Sequence, residues 1–173
     1  MVSNKTVPRL IRNGMNARGW QWKEIENLPG CHVGDGEVTP YFYCFGAKLR
    51  PFGDFIVEGT IGVIHKRFEQ KWNRSSVGNQ FACALLLSNF PTLQEVMYVP
   101  NNERIQFHVE RFCEAVHALL SAMPNDEEQL VAASIANSVA GAPFDAFANV
   151  SQRIKFREFR RFVDQLRPET SKK

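Results

Sequence analysis

A chain of 173 residues, 44% hydrophobic and 23% charged, has the composition of one globular domain able to bury roughly two thirds of its unfolded surface. A net charge of +3 and a pI near 8.7 fall short of the basicity of dedicated nucleic-acid binders, and no apolar run approaches the roughly 20 residues of a membrane span. The N-terminal MVSNKTVPRLIRNG lacks the apolar segment of a secretory signal, so the four cysteines read as reduced thiols of a cytosolic protein.

Residues 4–19 carry Val7, Leu10, Ile11 and Met15 at helical spacing, with Ser3 or Asn4 as cap and Gly14 and Gly19 as weak points. Trp20 and Trp22 alternate with polar neighbours as in a short strand. The glycines and prolines of residues 27–40 predict a loop with a tight turn at Asp35-Gly36. Tyr41 to Leu49 reads as a strand, with Tyr41, Tyr43, Phe45 and Ala47 on one face and Phe42 and Cys44 on the other. Pro51 and Gly53 then turn the chain into a hairpin with Phe55 to Ile64, where Phe55, Val57, Ile61 and Val63 alternate and Gly59 and Gly62 indicate a bulge or a close neighbour. Past Ile64 the phase changes, and Phe68 and Trp72 come at four-residue steps among His65, Lys66, Arg67, Lys71 and Arg74. Periodicity leaves strand and helix both open for this segment.

The continuously apolar Phe81 to Leu87 reads as a central strand covered on both faces, and Leu93 to Val99 is a further strand candidate. After Pro100 the period is helical. Ile105, Val109, Phe112, Cys113, Val116, Leu119, Leu120 and Met123 line one helix, capped by Asn101 or Asn102 and ended by Pro124. A capping box at Asn125 and Glu128 opens a second, carrying Leu130, Val131, Ile135 and Val139 to Gly141. Pro143 opens a third region, whose Phe156, Phe159, Phe162, Val163 and Leu166 lie opposite Arg153, Arg157, Arg160, Arg161 and Asp164. From Arg153 onward there are eight Lys or Arg against three acids, and the tail from Arg167 is polar. The order predicts one α+β domain over residues 1–173: a strand-rich part (20–100) with a mostly antiparallel sheet of three to five strands, then a helical part (101–166) with three helices packed on one face, then a frayed tail (167–173).

The chemistry-bearing motifs are few. No GxGxxG, GxxxxGKS, HExxH, GxSxG or CxxC pattern occurs, so neither a cofactor nor a catalytic constellation is expected. Cys31, His32, Asp35 and Glu37 form the one local group of metal-ligand types, and adjacent residues of a strand do not aim at one ion, so no metal is expected. Cys44 with His65 is the best nucleophile–base pairing on offer. Glu110 and Glu114 fit a solvated helix face, and His117 flanks the apolar stripe. The cationic, aromatic segment His65, Lys66, Arg67, Lys71, Trp72 and Arg74, widened by Arg157 and Arg160, has the ingredients of a single-strand nucleic-acid surface. Trp20, Trp22, Tyr41, Phe42 and Tyr43 offer more aromatic area than a small sheet covers, which favours a protein interface. The resulting expectation is a non-enzymatic cytosolic accessory or regulatory module, bacterial in its compactness, binding a protein partner or itself. Nucleic-acid binding through residues 65–74 and the last helix is the alternative, and a small Cys/His enzyme the third reading.

Overall fold

The computed structural model describes residues 5–25, 28–33, 36–68, 83–86, 90–135, 138–139, 142–143 and 150–166. Its architecture is α+β. An opening helix, α1 (Thr6–Ala17), precedes five antiparallel strands in sequence order: β1 (Trp22–Ile25), β2 (Leu28–Val33), β3 (Val38–Leu49), β4 (Asp54–His65) and β5 (Cys83–Leu86). A helical turn, α2 (Pro91–Gln94), leads to β6 (Tyr98–Pro100); α3 (Ile105–Ser121), α4 (Glu127–Ile135), a two-strand ribbon of β7 (Ser138–Val139) and β8 (Ala142–Pro143), and α5 (Val150–Leu166) complete the order.

β4 is the strand on which the sheet is built. One edge pairs with β3 along its whole length, from Leu49 opposite Phe55 to Val38 opposite His65. The other edge is shared: β6 pairs with Asp54 to Ile56, and β5 pairs with Thr60 to Val63. β6 is a sixth strand, beyond the three to five expected. The turn between β3 and β4 closes with the Gly53 N–H donating to the Arg50 carbonyl at 3.0 Å, and Gly53 adopts φ +87°, which favours glycine.

A bulge lies on β3, opposite Gly59, and not within the 55–64 strand where the glycines led it to be expected. Cys44 pairs with Gly59 and Gly46 with Glu58, leaving one extra residue between them. The inserted residue reverses the facing of the rest of β3, so Ala47 joins Phe42 and Cys44 in the core instead of Tyr41 and Tyr43. That core draws Val7, Ile11 and Met15 from α1, Val109, Phe112, Cys113 and Val116 from α3, Leu130 from α4, and Phe159 and Val163 from α5, against Phe55, Val57, Ile61 and Val63 of β4. The N-terminal helix therefore belongs to the same cluster as the C-terminal helices.

Several local expectations need correction. Residues 28–33 are a strand, because their backbone pairs with β1 and β3 on its two edges despite the glycine and proline. Pro91 starts a helical turn at a first-turn position that suits its fixed φ, so of the predicted 93–99 strand only Tyr98 and Val99 are extended. Asp126, not Asn125, caps α4: its Oδ1 accepts the Gln129 N–H at 2.9 Å. α4 ends at Ile135, and Val139 sits in the β7–β8 ribbon. Gly14 and Gly19 support α1 rather than weaken it. A Cβ at Gly14 would lie 2.8 Å from Cys113 Sγ, so the glycine lets α1 approach α3. Gly19, at φ +83°, ends the helix with its N–H on the Asn16 carbonyl at 3.0 Å and that of Trp20 on Met15 at 3.2 Å, the Schellman pattern. Ser3, Asn4, Asp35 and the tail from 167 lie outside the described residues.

Candidate functional site

At the end of β4 the chain stops being a strand. His65 is its last extended residue, and residues 66–68 turn helical. The change of phase has a packing cause: Phe68 is buried against Phe159 (ring centroids 5.2 Å) and Phe162 (5.5 Å) of α5. His65 presents its ring edge-on to the same pair, 6.1 Å from Phe159 and 5.1 Å from Phe162. Glu37 closes the cluster. Its Oε1 accepts from the Arg67 N–H at 3.1 Å and Nε–H at 3.3 Å, and stands 3.7 Å from His65 Nδ1. Glu127 of α4 in turn accepts from the Glu37 N–H at 3.0 Å.

His65 is only 4% exposed, and its Nδ1 makes no hydrogen bond among the described residues. Burial holds its pKa below the ordinary histidine value; the Glu37 carboxylate pulls it up and the Arg67 guanidinium presses it further down. Of the residues singled out in the sequence, His65, Lys66 and Arg67 thus meet at one junction, with His65 inside it and Arg67 exposed but held by Glu37. Arg157 and Arg160 are exposed on α5, and Arg161 pairs with Glu158 at 2.7 Å. Lys71, Trp72 and Arg74 lie outside the described residues.

The aromatic surface expected from the first strands is largely buried. Tyr41, Phe42 and Tyr43 are buried. Trp22 stands edge-on to Phe42, whose ring lies 5.9 Å from Phe112. Trp20 donates its indole N–H to His117 Nδ1 at 2.9 Å, which makes His117 a structural acceptor. Tyr41, Phe42 and Tyr43 therefore offer no area to a partner, whereas Trp20 and Trp22 are half-buried against the core.

Exposed apolar side chains occur elsewhere. Phe52, at the tip of the β3–β4 turn, is 85% exposed, and Leu49, Tyr98 and Phe107 are also exposed. Topology brings these four to one end of the sheet, since Asp54 and Ile56, just after the turn, pair with Pro100 and Tyr98, and α3 begins five residues after Pro100. Arg50 lies over the Tyr98 ring at 5.0 Å and Arg104 over the Phe107 ring at 5.0 Å. Beside them a cleft of about 280 Å³ is lined by Glu95, Val96, Tyr98, Pro100, His108 and Arg111. One sequence signal pointed here: a phenylalanine between Pro51 and Gly53 in a tight turn has no core to enter.

Two of the cysteines are poor nucleophiles. Cys44 and Cys113 are buried and unpaired, and burial pushes both thiols up to about 12, against a weaker opposing pull from Arg18 on Cys113. Cys44 lies opposite Gly59 and His65 six residues further along β4, so the two stand about 20 Å apart. Cys31 and His32 sit in β2, opposite Tyr43 and Phe42. Among the described residues no group of three or more His, Cys, Asp or Glu gathers as metal ligands do, and no helix is long and apolar enough to cross a membrane. No family model, no curated protein and no solved structure matches the chain.

Proposed function

We propose that this chain is a non-enzymatic cytosolic accessory or regulatory module that binds a protein, and that it does so with the end of the sheet formed by the β3–β4 turn, β6 and the first turns of α3. One observation carries the reading: of the five large apolar side chains exposed among the described residues, Leu49, Phe52, Tyr98 and Phe107 gather there. Arginine laid over exposed aromatic rings, as Arg50 and Arg104 are, is the composition of interface anchors. Neither arginine has a carboxylate at ion-pair distance among the described residues, whereas Arg67 and Arg161 each have one and Arg18 has two. The partner surface that fits is therefore apolar at its centre, with acids at its rim.

The test is a photoreactive amino acid at position 52, with one at Arg12 on the exposed side of α1 as control, irradiated in cells. The expected result is one stoichiometric adduct from position 52, lost in an Arg50→Glu/Arg104→Glu variant. A self-adduct, with a dimer by native mass spectrometry, identifies the partner as a second copy. Equal, heterogeneous labelling from both positions rejects the surface.

A second reading has its own observation. Phe68 packs on Phe159 and Phe162, which brings Arg67 beside the helix that exposes Arg157 and Arg160. A nucleic-acid surface there predicts binding of a labelled single-stranded RNA that weakens steeply between about 50 and 200 mM salt. Arg157→Glu/Arg160→Glu abolishes it. Salt-independent or absent binding rejects this reading.

A further inference from the structure

The cleft beside Tyr98 has fixed walls. β6 is hydrogen-bonded into the sheet through β4, and α3 is held from its other side by Arg18 to Glu110 at 2.8 Å and by Cys113 against α1. His108 and Arg111 are three residues apart on α3, so their side chains reach the cleft from one helix face. The opposite wall is Glu95, Val96, Tyr98 and Pro100. Among the described residues neither the Arg111 guanidinium nor the Glu95 carboxylate has a hydrogen-bond or ion-pair partner. A guanidinium and a carboxylate with their full capacity therefore stand at the mouth of a partly apolar space.

That set of groups matches one ligand chemistry: a carboxylate, an adjacent N–H donor and an apolar side chain carried on one small unit. The guanidinium takes the carboxylate in a two-point contact, Glu95 accepts the N–H, and Val96, Pro100 and the Tyr98 ring cover the side chain. At about 280 Å³ the space lies at the lower end of ligand sites, sized for a single residue and too small for a dinucleotide. The cleft is continuous with the proposed interface, because Tyr98 lies under Arg50 and His108 packs on Phe107 at 5.5 Å. Resting on the protein-binding reading above, we infer that this cleft receives the C-terminal residue of the partner, its free carboxylate on Arg111 and its last amide N–H on Glu95.

The inference can be tested without the partner. ¹H–¹⁵N NMR titrations of the full chain use three probes: N-acetyl-L-leucine, which imitates a chain end; N-acetyl-L-leucinamide, which lacks the carboxylate; and free L-leucine, which adds an ammonium. The first is expected to shift amides of residues 95–100 and 104–111, and the second to bind about tenfold more weakly. Arg111→Gln, an exposed position, brings the acid down to the level of the amide while the remaining spectrum is unchanged. Equal binding of acid and amide, shifts centred elsewhere, or no binding overturns the inference. Tighter binding of free leucine than of its acetylated form also overturns it, and assigns the cleft to a free amino acid. Because no partner enters this experiment, a failed cross-link at position 52 with a carboxylate-dependent titration removes only the interface reading.

Discussion

The two ends of β4 use the same residue types in opposite ways. At its C-terminal end, Arg67 is bound by Glu37, and Phe159 and Phe162 pack on both His65 and Phe68. At its N-terminal end, Arg50 and Arg104 lie over exposed rings, and Phe52 points into solvent. Aromatic and cationic residues are abundant at both, so abundance does not mark a surface. The ends differ in whether a helix covers the strand: α5 packs on the first, and among the described residues nothing packs over the tip of the β3–β4 turn. Substitution should therefore cost stability at the covered end and only binding at the open one.

The widest separation is expected between two phenylalanines. Phe159→Ala removes a fully buried ring that packs on Phe68 at the covered end and should cost about 3–5 kcal/mol, whereas Phe52→Ala should stay within about 0.5 kcal/mol; urea unfolding of both measures the difference. A comparable cost at Phe52 would mean that the turn is covered. Next in size is Gly14→Ala. Its Cβ would meet Cys113 Sγ at 2.8 Å, and overpacking of about 1–3 kcal/mol should outweigh the gain of about 1 kcal/mol in helix propensity. The double variant with Cys113→Ala should recover part of that loss, and thermal unfolding reads both.

The junction should also respond to pH. His65 has a folded pKa below its unfolded value, so the unfolded chain takes up the proton first as pH falls. Stability is therefore fully present above the ordinary histidine pKa and declines as pH drops through that value toward the folded one. His65→Phe should flatten this part of the stability curve between neutral and mildly acidic pH, measured by urea unfolding at several pH values. An unchanged slope would place the titrating group elsewhere. The smallest effect is expected from Arg67→Ala: its pair with Glu37 is exposed, and surface ion pairs contribute about 0–1 kcal/mol. That value should shrink further at high salt.

Much of the fold was legible in the sequence. Alternation in Phe55, Val57, Ile61 and Val63 identified the strand that organises the sheet, and four-residue spacing in Val7, Ile11 and Met15 identified α1. The phase change after Ile64 was visible too, although its direction was not, because a helical turn wins there only when Phe68 meets Phe159 and Phe162, some ninety residues away. Residues 28–33 read as a loop since local propensity counts glycine and proline but not the two neighbouring strands that satisfy the backbone. The aromatic group at 20–22 and 41–43 misled for a related reason. Its rings are apolar enough for an interface, and the same property takes Phe42 into the core, buries Tyr41 and Tyr43 and leaves Trp20 and Trp22 half-buried.

The sequence by itself determined the class of the fold, its strands-then-helices order and the apolar face of each long element, because these arise from periodicity, which is local. Tertiary structure alone decided which aromatics are spent on the core, which arginines find a carboxylate, and that Tyr98, Phe107 and Arg111 meet the β3–β4 turn at one end. Those outcomes depend on contacts between distant segments, and a one-residue bulge at Cys44 to Gly46 is enough to reverse which face of β3 they fall on.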